Sequence, residues 1–176
     1  MIVSFEGLSF SGKSTALNYA ADKIKGFDNT NAFVMKGPGQ INHPGKQQWK
    51  DYNHYMHAVL KRIEGLNDDV IILGDRLFTE AVVTEDEELY RRYKCYEQKH
   101  VLYFEADHDV LKERGSLTED MLEMENNYRN YLLNWIDHTK IDTGELSEIQ
   151  MKKAVWTQIM EWQENGESDF YEKEQQ

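Results

Sequence analysis

The sequence predicts an α/β fold: a five-stranded, mainly parallel sheet flanked by helices in three layers. Three observations lead there. Apolar runs of strand length alternate with longer stretches of helical periodicity, the pattern of βαβ units. A glycine-rich segment, "FEGLSFSGKST" at 5–15, joins the first such run to the first helical stretch. Across 176 residues there is neither an internal repeat nor a low-complexity linker, so one continuous domain is expected.

Each element follows from its local pattern. "IVSF" at 2–5 reads as a buried strand. From Lys13 to about Gly26 the spacing of Leu17, Ala20, Ala21 and Ile24 predicts a helix with one apolar face. "AFVM" at 32–35 is a second strand, closed by the loop "KGPGQINHPG". Residues 48–65 predict a helix, with Trp49, Tyr52, Met56, Leu60 and Ile63 on one stripe. "VIIL" at 70–73 is a third strand and the expected centre of the sheet. A helical region follows from about Thr79 to Gln98, and "VLYF" at 101–104 is the fourth strand. A short helix is expected at 108–114 and a long one from Glu119 to His138, where Met121, Met124, Tyr128, Tyr131 and Trp135 keep helical spacing. "KIDT" at 140–143 supplies the fifth strand, and a last helix runs from Ser147, a residue type suited to an N-cap, to Trp162. Beyond it the acidic stretch 163–176 is expected to fray.

Composition narrows the function classes. The formal net charge is −12, which opposes a nucleic-acid polymer as partner, since such binding needs a basic face. A small nucleotide is not opposed, because backbone N–H groups, a few cations and a metal can hold it. No apolar run approaches the ~20 residues of a membrane span, and no signal-peptide pattern opens the chain. Cys95 is the lone cysteine, expected to be buried as a small apolar residue. A cytoplasmic location is the simplest expectation.

The chemistry concentrates at strand ends, where open parallel sheets bind ligands. Gly7, Gly12, Lys13 and Ser14 satisfy G-x-x-x-x-G-K-[ST]. Glycines let the backbone curl so that its N–H groups face phosphate oxygens. Lys13 reaches the β- and γ-phosphates, the Ser14 hydroxyl suits Mg²⁺, and the next helix presents its positive end. Chance would produce this pattern in roughly one chain in two hundred of this length, and here it also stands between a strand and a helix. Gly7, Ser9, Phe10, Ser11, Gly12, Lys13, Ser14 and Thr15 are therefore the candidate ATP-binding set. "VIILGDR" places Asp75 and Arg76 after an apolar strand: an acidic residue there can serve the metal, and the adjacent cation an acceptor anion. Lys36, at the end of the second strand, offers another cation. The histidines at 43, 57, 100, 108 and 138 show no metal spacing. Tyr90, Tyr93 and Tyr96 with Arg91, Arg92 and Lys94 read as helix packing with a cationic edge.

In order and spacing, "VSFEGLSFSGKST", "VMKGPG", "VIILGDRLFTEAVV", "VLYFEADHDVLKERG" and "KIDTGELS" resemble thymidylate kinases, within the P-loop NTPase group of nucleoside and nucleotide kinases. The resemblance implies a P-loop kinase domain over residues 1–162, with a small lid at about 114–120, followed by the tail at 163–176. It implies that Lys13 stabilises the transferred group, that Ser14 and Asp75 organise Mg²⁺, and that Arg76 holds the acceptor monophosphate. Lys36 takes the place of a loop arginine, and Arg114 opens the lid. Tyr52 and His54 lie on the helix that contacts the acceptor in that family. Lys13, Asp75, Arg76 and Arg114 are thus the catalytic candidates, and Lys36, Tyr52, His54 and Arg76 the acceptor-binding ones.

The chain also departs from that family. Ser9 stands where an acidic residue is usual, Gly37 replaces the glutamate before proline, His54 falls where an arginine is expected, and "RGSLTED" carries a single arginine. Gly37 has a chemical consequence. A nucleoside acceptor needs a base to take its hydroxyl proton, whereas a monophosphate is already ionised. The expected activity is ATP- and Mg²⁺-dependent phosphoryl transfer to a (deoxy)nucleoside monophosphate. The alternatives are a kinase of a nucleoside or another small molecule, and a nucleotide-binding regulatory protein with little turnover. The expected partners are ATP and a small nucleotide acceptor, without nucleic-acid polymer or membrane; a homodimer is left open.

Overall fold

A computed structural model describes residues 1–26, 31–35, 57, 58, 61, 70–77, 87–95, 99–120, 122, 123 and 136–173. Five strands form one sheet: β1 (Ile2–Gly7), β2 (Asn31–Met35), β3 (Val70–Asp75), β4 (Lys99–Glu105) and β5 (Thr139–Asp142). Their order is β2-β3-β1-β4-β5, and every neighbouring pair is parallel. The helices described are α1 (Lys13–Ile24), α2 (Glu87–Cys95), α3 (His108–Arg114) and α4 (Glu148–Lys173).

The centre of the sheet is β1, not the strand holding "VIIL" as the apolar run suggested. An apolar run reports burial on both faces, and β3 and β4 share that property with the true centre. In β1 the signal is diluted by Ser4 and Glu6, yet both are fully buried. They tolerate burial because Ser4 Oγ donates to Glu6 Oε1 and accepts from the Leu77 amide at 3.1 Å.

Alternation along the strands divides the core. Val3, Phe5, Leu73, Leu102 and Phe104 face the buried stripe of α1, formed by Ala16, Leu17, Ala20, Ala21 and Ile24. Met151, Val155 and Ile159 of α4, each four residues apart, join the same cluster. Each such fully buried Phe, Leu or Ile contributes about 1.5–3 kcal/mol. A second cluster, Leu8, Ala106 and Leu111 with Val110, Leu117 and Leu122, ties the glycine-rich loop to residues 117–122.

Other elements differ from expectation in instructive ways. α4 continues to Lys173 instead of ending at Trp162. One glycine costs a helix only ~1 kcal/mol, so Gly166 is a weak stop signal. Ser147 caps α4 as expected and does so reciprocally: its amide donates to Gln150 Oε1 at 2.9 Å, while its hydroxyl accepts from the Gln150 amide. The helix expected over 119–138 does not include residues 136–138, which are non-helical, with Ile136 buried ahead of β5; residues 121 and 124–135 lie outside the described residues. Cys95, expected inside, is exposed at the last position of α2. The helix expected at 48–65 lies outside the described residues, apart from 57, 58 and 61, which are helical. Among the described residues no helix is long and apolar enough to cross a membrane.

Candidate functional site

The segment from β1 to α1 wraps over the carboxyl edge of the sheet, at its centre. Gly7 has φ 131° and lies so close to β4 that a Cβ would fall 2.3 Å from the Phe104 carbonyl oxygen. Only glycine fits there. Gly12 has φ 86° and precedes α1, with no side chain capping the helix and no acidic residue in its first turn. The first amides of α1 are thus left for an anion. The loop between is closed internally: Ser11 Oγ donates to the Leu8 carbonyl at 2.8 Å, and Lys13 Nζ donates to the same oxygen at 3.0 Å. Lys13 is nearly fully buried, its cation held across the mouth of the loop.

To the β5 side of this loop lies a cavity of about 470 Å³. Phe10 and residues 12–15 form one wall; Arg114, Thr143 and Leu146 form the other, with Glu148 and Met151 at its end. Arg114, the last residue of α3, is fixed rather than loose. Its Nη2 donates to the Thr143 carbonyl at 2.6 Å and its Nη1 to Thr143 Oγ1 at 3.1 Å. Thr143 is anchored in turn, its amide and hydroxyl donating to the Glu105 carbonyl at 2.8 and 3.1 Å. Phe10, at φ 67°, lays its ring against Gly115, where a Cβ would come within 2.2 Å of it. The space can take a nucleoside beside the phosphate loop.

The β3 side is different. Asp75 ends β3 in register with Phe5, and the Arg76 amide donates to the Phe5 carbonyl at 3.0 Å. Arg76 sits at φ 60°, a left-handed conformation uncommon outside glycine, asparagine and aspartate. Its Nη2 donates to Ser9 Oγ at 3.1 Å. Asp75 Oδ1 and Arg76 Nε are both buried with no hydrogen-bond partner.

The residues read from sequence therefore divide. Gly7, Ser11, Gly12 and Lys13 build the loop, and Phe10, Ser14 and Thr15 edge the cavity with Arg114. The Ser9 hydroxyl turns to Arg76. Lys36, Tyr52 and His54 lie outside the described residues. Sequence reasoning missed Thr143, Leu146, Glu148 and Met151 as cavity residues. The Asp-Thr ending of the last strand was the available signal for Thr143; the others are ordinary helix-start residues placed by the fold. It also missed the buried Ser4–Glu6 pair.

Among the described residues no three histidine, cysteine or carboxylate side chains cluster to hold a metal. Mg²⁺ at a nucleotide site does not need such a cage, since phosphates and water supply most of its ligands. The buried unpartnered Asp75 Oδ1 and the exposed Ser14 at the start of α1 are hard oxygen donors that suit it.

No protein-family model and no curated protein sequence matches the chain. Solved structures do. The YorR protein from Bacillus subtilis, crystallised with phosphorylated GDP, is 18% identical with a TM-score of 0.57, covering 91% of this chain and 96% of that one. Shikimate kinase from Aquifex aeolicus is 14% identical with a TM-score of 0.53 over 91% and 96%. A gluconokinase from Sinorhizobium meliloti is 12% identical with a TM-score of 0.57 over 95% of each chain. At such identities the likeness is one of fold. The chain shares the parallel α/β architecture of these structures.

Proposed function

We propose that the protein transfers the γ-phosphoryl group of ATP to a small anionic acceptor, foremost a (deoxy)nucleoside monophosphate. The observation that carries this reading is the two-sided site. One glycine-lysine loop is flanked by a nucleoside-sized cavity towards β5 and by an Arg-Asp pair with unsatisfied atoms towards β3. A binding module needs only the first flank.

In this reading the first amides of α1 and Lys13 hold the β- and γ-phosphates, and Arg114 borders the nucleoside of ATP. Lys13 already points its charge into the loop, so little reorganisation accompanies the reaction. Arg76 orients the acceptor anion. An acceptor oxygen attacks the γ-phosphorus in line, and the bond to the β,γ-bridging oxygen breaks to release ADP. A monophosphate oxygen is ionised and needs no base, in keeping with Gly37 where a carboxylate would serve a hydroxyl acceptor. Ser14 and Asp75 would hold Mg²⁺, whose charge neutralises the β- and γ-oxygens. Residues 114–120, rooted on Leu8 and Phe10, would close over the phosphates.

A shikimate kinase and a gluconokinase among the structural neighbours support a second reading, a kinase of a non-nucleotide small molecule. The test is ADP release from ATP–Mg²⁺ across a panel of nucleoside monophosphates, nucleosides and hydroxy acids, with Lys13→Ala as control. Monophosphate-stimulated turnover is expected. Turnover with hydroxyl acceptors alone overturns the first reading for the second. ATP binding that no acceptor converts to turnover leaves a regulatory nucleotide-binding protein.

A further inference from the structure

Arg76 is held from behind at three points. Its amide is bonded to Phe5 of β1, the next amide is bonded to Ser4 Oγ, and the Leu77 side chain fills the space above Gly74, where a Cβ would fall 2.2 Å from it. Ser4 is itself buried against Glu6. These contacts keep a non-glycine residue at φ 60°, and strain of that kind persists only where the surroundings enforce it. The backbone is thus fixed so that the guanidinium leaves the strand end towards the phosphate loop.

What meets the guanidinium there is a neutral group. Nη2 donates to Ser9 Oγ, and Nε is buried without a partner. Among the described residues no carboxylate forms an ion pair with Arg76, its neighbour Asp75 included. A hydroxyl accepts a hydrogen bond but cancels no charge. A carboxylate in its place would occupy the same donors and neutralise them. The planar guanidinium fork matches a phosphate geometrically, and such charge-assisted pairs are the strong ones.

We infer that Ser9 is a positioning residue for Arg76, and that its neutrality reserves the Arg76 charge for a phosphate group on the acceptor. The inference rests on the acceptor assignment above and deepens it. The β3 flank reads the acceptor through phosphate charge, and Ser9 ties that reading to the loop that holds the donor. Because Ser9 belongs to the loop itself, the tether also sets how far the acceptor anion stands from the transferred group.

The test is calorimetric titration of the full chain, saturated with ADP–Mg²⁺, with the common nucleoside monophosphates and, separately, their unphosphorylated nucleosides. Ser9→Asp is expected to weaken monophosphate binding at least about tenfold, whereas Ser9→Asn stays within about threefold of wild type. Nucleoside binding is expected to be alike in all, and ADP–Mg²⁺ affinity to change no more in Ser9→Asp than in Ser9→Asn. A second arm needs no added charge: Ser9→Ala weakens monophosphates several-fold and Ser9→Thr restores them. Equal losses for Asp and Asn, equal shifts for nucleosides and monophosphates, no restoration by Thr, or a wild type that binds no monophosphate would each overturn the inference. Turnover is followed in parallel. Charge-selective binding without turnover removes the kinase reading and keeps this one; turnover with a Ser9 series indifferent to charge does the reverse.

Discussion

On the β5 side of the glycine-lysine loop the polar groups of the far wall are bonded to protein. Arg114 donates twice to Thr143, and Thr143 donates twice to the Glu105 carbonyl. On the β3 side, Asp75 Oδ1 and Arg76 Nε are buried and unmatched, and Arg76 holds a left-handed backbone. An unmatched buried polar group costs about 1–3 kcal/mol, so native proteins keep few of them. The first flank is a finished wall that a ligand can lie against. The second lacks partners that a ligand and a metal would supply. In the proposed reaction Lys13 serves both flanks.

Substitutions can separate them. The largest effect belongs to the shared element. Lys13→Ala is expected to lower turnover by about 10²–10³ with every acceptor, and steady-state ADP release shows whether both flanks depend on it. Next comes Arg76→Gly, which removes the guanidinium and relieves the backbone. Turnover should fall by about 10² while the chain becomes up to ~1 kcal/mol more stable in urea. Loss of stability instead would mean that the strain reading of φ 60° is wrong. Arg114→Ala breaks two charge-assisted bonds and should raise the KM for ATP about tenfold, leaving the acceptor KM in place. An equal rise in both constants would erase the distinction between the flanks. Thr143→Val deletes one hydroxyl from the finished wall, for about 1 kcal/mol and a several-fold rise in the KM for ATP.

The smallest effect lies away from both flanks. His100 stacks on Trp162 at 4.3 Å, and burial, the N-terminal amine and Lys99 lower its pKa to about 4. The unfolded chain takes up this proton at higher pH than the folded one. The neutral ring's stabilisation is therefore complete above about pH 6.5 and is lost as pH falls towards 4. His100→Phe keeps the stack without the proton. Urea melts of the two proteins should diverge between those pH values in favour of the variant, with ATP binding unchanged at pH 7.5.

Much of the architecture was legible because its determinants are contiguous. The loop from Gly7 to Ser14 encodes its own curl, and four of the five strands announce themselves as apolar runs. Ser147 signals the start of α4. The misreadings share a cause. The central strand was misplaced because hydrophobicity reports burial but not order. Cys95 was placed inside because its exposure depends on which side of α2 the sheet covers.

By itself, then, the sequence determined the fold class, the curl of the glycine-lysine loop and its place at a strand end. Each of these depends on residues within a turn or two of one another. Only the tertiary structure decided that β1 is central, that Arg114 is locked to Thr143 across 29 positions, and that Arg76 reaches Ser9 across 67. Those pairings depend on which strands lie side by side, and strand order follows from packing the whole chain at once.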